Sequence, residues 1–136
     1  MAQVTSVHHI NFVVKNLQKS AQYLSTVLNS EPEFDDLEGR QVKTARFNLN
    51  GVWLVLVQPL NADSEVGQIL KTRGEGLFLL SLGVDSLLRS AQSLEDRGVV
   101  LAKSGARQGL MDWQVWDLED QLGLGPVVQL CESTDR

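Results

Sequence analysis

The chain carries one pattern twice, and that constrains its fold more than any other feature. Val14-Lys15-Asn16-Leu17-Gln18-Lys19-Ser20-Ala21-Gln22-Tyr23-Leu24 aligns with Val84-Asp85-Ser86-Leu87-Leu88-Arg89-Ser90-Ala91-Gln92-Ser93-Leu94 at a constant offset of 70. Six of the eleven positions are identical: Val, Leu, Ser, Ala, Gln and Leu. Self-similarity at a fixed offset marks a duplicated module. With 136 residues the chain is long enough for one buried core and too short for two independent ones. Two copies must therefore share a single domain.

Each copy opens with a strand signal. Along His8 to Val14, the side chains of Ile10, Phe12 and Val14 share one face, and those of His9, Asn11 and Val13 the other. Seventy residues on, Leu80, Leu82 and Val84 oppose Leu79, Ser81 and Gly83. Both strands feed a helix. Asn16 is a suitable N-cap, with Leu17, Ala21, Leu24 and Leu28 at helical spacing. In the second copy Asp85 or Ser86 caps, Leu87, Leu88, Ala91 and Leu94 form the apolar stripe, and Gly98 stops the helix.

Extended segments follow: Val42 to Asn48, an Asn50-Gly51 hairpin turn, and Val52 to Gln58 closed by Pro59. In the second half they are Val99 to Lys103, Leu110 to Trp116 and Pro126 to Cys131. A short helix from Ser64 to Arg73, ending at Gly74, links the copies. The expectation is an α+β fold: two tandem βαβββ modules (about 7–60 and 76–132, linker helix about 64–73) forming a curved mixed sheet, with helices on the outer face.

Helices on one face leave the other face free to bind small molecules. Alternation places His9, Asn11, Thr44, Arg46, Asn48, Trp53, Val55, Leu79, Ser81 and Gln129 there. A register slip of one residue would invert any strand's set. By the same alternation His8 points to the opposite face. Cys131 is expected to be a small buried residue.

Composition narrows the partners. Lys and Arg number 12 and Asp and Glu 17, a net charge of −5. That argues against nucleic acid, whose phosphates need clustered cations, and against an anionic membrane surface. The longest nearly apolar run, Gly76 to Val84, is half a membrane span. One cysteine allows no intrachain disulfide, and Met1 to Val7 lacks an apolar leader core. The expectation is a cytoplasmic protein.

The duplicated βαβββ pattern with His9-Ile10 in the first strand resembles the vicinal oxygen chelate superfamily. So do Gln58-Pro59-Leu60 with Ser64, Gly74-Glu75-Gly76-Leu77 leading to Val84-Asp85, and Gly105-Ala106. Glyoxalases, dioxygenases and bleomycin-resistance proteins belong to it, and the likeness is greatest to its methylmalonyl-CoA epimerases. Metal-dependent members hold a divalent ion with one side chain from each of four strands. Those positions fall on His9, Val55, Leu79 and Gln129, and the repeat agrees, since 9 + 70 = 79. Two are hydrocarbons and a third is an amide, so neither a metal nor another cofactor is expected.

Two functions stay open. One is a bleomycin-resistance-type protein that binds a small, largely apolar or carbonyl-containing molecule, with Asn11, Arg46, Trp53, Val55, Leu79, Ser81 and Gln129 lining the site. The other is a metal-independent isomerase, epimerase or lyase that moves a proton next to a carbonyl of an acyl-CoA-like substrate. In it His9 acts as acid or base, joined by Glu38, which lies near the position of an epimerase glutamate. The resemblance also implies a homodimer.

Overall fold

The computed structural model describes residues 4–119 and 125–134. Its elements are β1 (Val4–Val13), α1 (Leu17–Leu28), β2 (Glu33–Leu37), β3 (Val42–Leu49), β4 (Val52–Pro59), α2 (Glu65–Arg73), β5 (Gly76–Val84), α3 (Leu87–Asp96), β6 (Arg107–Gln108), β7 (Gln114–Asp117) and β8 (Val127–Glu132), with a short 3₁₀ turn at Glu38–Arg40. The fold is α+β with a mixed strand pattern: β5 and β8 are parallel, whereas β2–β3, β3–β4, β6–β7 and β7–β8 are antiparallel. Contacts divide the chain into two compact units. One is Ile10–Phe78; the other joins the residues up to His9 to those from Leu79 onward.

In the Ile10–Phe78 unit the strand order is β2-β3-β4-β1. Ala45, Phe47 and Leu56 project toward α1 and enclose Val14, Leu17 and Ala21, with Phe12, Leu24, Leu28 and Leu54 around them. Helix α1 starts where the sequence says it should: the Asn16 side chain accepts from Lys19 N at 3.0 Å, satisfying one amide that the first turn leaves open. Leu17 N is satisfied from the sheet, by Gln58 Oε1 at 2.7 Å. Asn50 and Gly51 both have positive φ (56° and 101°), as a two-residue hairpin turn between β3 and β4 requires.

The other unit repeats the scheme with β5-β8-β7-β6. Leu130 and Trp116 enclose Val84, Leu87, Ala91 and Leu101 beneath α3. Ser86, not Asp85, is the N-cap, accepting from Arg89 N at 3.3 Å. Leu87 N donates to Glu132 Oε1 at 2.7 Å. Gly83 lies so close to the Ser6 side chain that a Cβ there would stand 2.3 Å from Ser6 Oγ. Thr5 Oγ1 also donates to the Gly83 carbonyl, at 3.2 Å.

Two expectations need correction. Glu33 to Leu37, to which no strand was assigned above, is strand β2, paired residue for residue with β3. Its charges hid it, because they match cations across the ladder and make no apolar alternation. Val99 to Lys103 is not a strand: only Leu101 bridges, to Leu118. Leu101 packs in the α3 core, and the single bridge is held by Ala102 N donating to the Asp117 carbonyl at 2.8 Å and Glu119 N to the Val100 carbonyl at 2.9 Å.

Candidate functional site

In the unit built from the first nine residues and the second repeat, the sheet face away from α3 carries a compact polar cluster. Register explains it. Ser81 on β5 and Asp117 on β7 both stand opposite Gln129 of β8. Ser81 Oγ donates to Gln129 Oε1 at 2.8 Å, and Gln129 Nε2 donates to Asp117 Oδ1 at 2.9 Å. Arg107 from β6 closes the chain with a two-pronged pair to Asp117, at 3.1 and 3.4 Å. Ser81 and Gln129 are fully buried, and interior amides and hydroxyls are tolerated when paired in this way.

Against this chain lies His9, 3% exposed. Its ring stacks on Trp113 (centroids 4.5 Å apart, planes 22° apart), and Trp113 also meets His8 edge-on at 4.7 Å. His8 does not point to the opposite face as alternation suggested. The two imidazoles touch, with 2.9 Å between their Nδ1 atoms. The indole of Trp113 supplies a surface that both rings can reach, and strict two-residue alternation fails there. Burial, and then the neighbouring His8, push the His9 imidazole down to about 3, while a hydrogen bond to Gln129 pulls the other way. Cys131, two residues after Gln129, is buried as expected, and its sulfur joins His8 and His9: ligand atoms of all three lie within 4.8 Å of one another. Leu79 is buried opposite Val127.

The Ile10–Phe78 unit holds the remaining expected residues. Arg46 is buried and stands opposite Glu33 on one side and Val55 on the other. Its guanidinium pairs with both Glu33 and Asp35 and lies 5.3 Å from the centre of the Trp53 ring. The cation thus meets two carboxylates of its own chain. Val55 is 1% exposed. The buried Asn11 Oδ1 and Arg46 Nε have no hydrogen-bond partner among the described residues. Both residues alternate with core side chains (Phe12, and Ala45 with Phe47), so they face away from α1. Glu38 is exposed in the 3₁₀ turn. A cavity of about 360 Å³, lined by Phe12, Leu24, Leu54, Leu56 and Glu75 among others, opens on the helix-packed side and includes none of the expected site residues.

Of the ten residues expected on one sheet face, the structure brings Ser81, Gln129 and His9 together, joined by His8, Asp117 and Arg107, which alternation did not place there. The Arg107/Asp117 pair across a short β6–β7 ladder leaves little signal, because two residues show no periodicity. Of the three tryptophans, Trp116 is core, its indole N–H donating to the Ala102 carbonyl at 2.9 Å.

These elements define an α+β domain, and comparison with known proteins places it in a family. Residues 8–116 match the Glyoxalase/Bleomycin resistance protein/Dioxygenase superfamily model, and the chain belongs to that superfamily. An uncharacterised Bacillus subtilis protein, YqjC, is 29% identical over 125 residues, 91% of this chain and 89% of the relative. A hypothetical protein from Bacillus halodurans superposes with a TM-score of 0.88 at 22% identity, covering 99% of this chain and 96% of that one. Methylmalonyl-CoA epimerase of Streptomyces coelicolor, solved in complex with 2-nitronate-propionyl-CoA, gives 0.90 at 23% identity, over 97% and 96% of the two chains. The Mycobacterium tuberculosis epimerase gives 0.88 at 22%, over 96% and 89%. The fold is that of these proteins.

Proposed function

We propose that the protein binds a small, largely apolar, carbonyl-containing molecule without a metal at the superfamily's four ligand positions. The observation that carries this reading is the pair of buried, unpartnered polar atoms, Asn11 Oδ1 and Arg46 Nε. An unmet buried hydrogen-bonding group costs about 1–3 kcal/mol, so a ligand presenting an acceptor and a donor recovers that cost. Glu33 and Asp35 already balance the Arg46 charge, which favours a neutral group over a carboxylate. Val55 and Leu79 offer no donor atom, and an imidazole with one amide is a poor divalent site. The four positions do not fit the metal.

His9 favours binding over proton transfer. A histidine held at about 3 is neutral throughout the physiological range and a weak base, so its role here is to hydrogen-bond and stack. The isomerase alternative, with His9 and Glu38 as proton carriers, draws support from the fold shared with the epimerases. The proposal includes a cytoplasmic homodimer, and sedimentation of a 15.0 kDa species would count against the dimer.

The test is calorimetry with acyl-CoA thioesters and planar carbonyl compounds, repeated in heavy water with mass spectrometry of the recovered ligand. Binding that falls at least about tenfold in Asn11→Leu and Arg46→Met, with no deuterium at the α-carbon, supports the proposal. Deuterium uptake abolished by His9→Ala would replace it with the isomerase reading.

A further inference from the structure

Of the His8, His9 and Cys131 cluster, the ligand reading above and the superfamily's four positions use only His9. The cluster's three side chains are buried and offer two imidazole nitrogens and one sulfur. We propose that they form a binding site for a single borderline-soft transition-metal ion of the zinc class.

The donor chemistry selects the ion. Mg²⁺ and Ca²⁺ require oxygen ligands, and none of the three groups supplies one. Zinc takes imidazole nitrogen and thiolate sulfur, and a site with three protein ligands leaves a fourth position for an exogenous one. Geometry agrees. In a tetrahedral site with Zn–N bonds of about 2.0–2.1 Å, two nitrogens stand roughly 3.3 Å apart. The Nδ1 atoms of His8 and His9 are already at 2.9 Å, so they need to separate by only a few tenths of an ångström. His9 is also held in place by its stack on Trp113, and His8 by its edge contact with the same ring. Such outer contacts orient metal ligands before the ion arrives.

The binding step balances simply. The ion forms bonds to the two Nδ1 atoms and to Sγ. Cys131 releases its thiol proton to solvent, and the proton bridging the two Nδ1 atoms moves to an Nε2. Nothing is oxidised or reduced.

The experiment uses the whole protein, reduced, stripped with a chelator and titrated with Co²⁺ alone, then with Zn²⁺. The expected result is one Co²⁺ per chain, with the intense visible bands of tetrahedral cobalt and a near-ultraviolet thiolate-to-cobalt charge-transfer band, all erased by Zn²⁺. In Cys131→Ser the charge-transfer band disappears. In His8→Gln, Zn²⁺ binding weakens at least about tenfold, the lower end of what even an outer contact to a metal ligand is worth. Circular dichroism confirms that both variants fold, and either variant alone is decisive if the other does not. Absence of Co²⁺ binding by the folded wild-type protein, or a charge-transfer band that survives Cys131→Ser, would overturn the proposal. Neither outcome touches the ligand-binding reading, whose test needs no metal and no change at His8 or Cys131.

Discussion

Val14, Leu17 and Ala21 in one unit, and Val84, Leu87 and Ala91 in the other, stand at the repeat's offset and fill matching places in two helix-backed cores. The match extends to hydrogen bonds. Asn16 and Ser86 each cap their helix by accepting from its third amide. Gln58 and Glu132 each reach from a strand to accept from the first helical amide at 2.7 Å. The opposite sheet faces share almost nothing. Where one copy has His9, Asn11 and Val13, the other has Leu79, Ser81 and Gly83. One unit sets a guanidinium between two carboxylates; the other stacks an imidazole on an indole above an amide–hydroxyl–carboxylate chain. Packing on the helix side selects mainly apolar groups of matched size, whereas the other face takes whatever chemistry can be satisfied there.

The sharpest way to break the core equivalence is to truncate both copies at the same place. Leu17 and Leu87 are 3% and 4% exposed, so Leu17→Ala and Leu87→Ala should each cost about 2–5 kcal/mol in urea unfolding. Equivalent cores require the two losses to agree within about 2 kcal/mol, since context alone spreads the cost of one chemistry that far. A gap of several kcal/mol would show that the repeats pack differently despite their shared residues.

Acid should separate the two faces next. Both histidines of the chain are His8 and His9, so a histidine-linked loss of stability belongs to one cluster alone. His9 takes up a proton near 6.5 when unfolded and only near 3 when folded. Between those values the unfolded state binds the extra proton. The stabilisation is therefore complete above pH 6.5 and falls as pH drops, by about 1.4 kcal/mol per pH unit, until pH 3. Urea unfolding of chelator-treated wild type and His9→Gln, from pH 7 downward, isolates this slope from that of the carboxylates. Equal slopes in the two proteins would mean that His9 titrates normally in the folded state.

The caps carry the comparison to smaller energies. Asn16→Ala and Ser86→Ala each remove one side-chain acceptor from an otherwise unpaired amide, and should each cost about 1 kcal/mol. The longer bond at Ser86, 3.3 Å against 3.0 Å at Asn16, predicts the smaller loss there. Thermal melts of the two variants rank them, and the reverse order would remove bond length as the explanation.

What the sequence disclosed follows the same division. Helix-side residues were legible because burial imposes a period: Leu17, Ala21, Leu24 and Leu28 announce a helix whatever surrounds them. The faces of β3 and β4 were legible too, since Arg46 alternates with Ala45 and Phe47. Strand β2 was not, because Glu33, Asp35 and Asp36 look like solvent residues until Arg46 is seen between two of them. The contact of His8 with His9 was hidden for another reason. Alternation describes ideal strand geometry, while the rings respond to Trp113, over one hundred residues away in the chain. The Arg107–Asp117 pair depends on a ladder of two residue pairs, too short to leave a pattern.

Ser20 and Ser90 give the finest comparison, as identical residues at equivalent places on α1 and α3. Ser20 is half-buried, whereas Ser90 is 4% exposed and its hydroxyl has no partner among the described residues. Replacing Ser20 with alanine gains only helix propensity, at most about 0.5 kcal/mol. Ser90→Ala gains the same and also removes an unsatisfied buried hydroxyl, so it should stabilise by about 1 kcal/mol or more. The excess at position 90, read from urea midpoints measured side by side, is the cost of burying that hydroxyl in one copy and not in the other. If Ser90→Ala is neutral or destabilising, the hydroxyl is satisfied in solution, and the two serines differ in exposure alone.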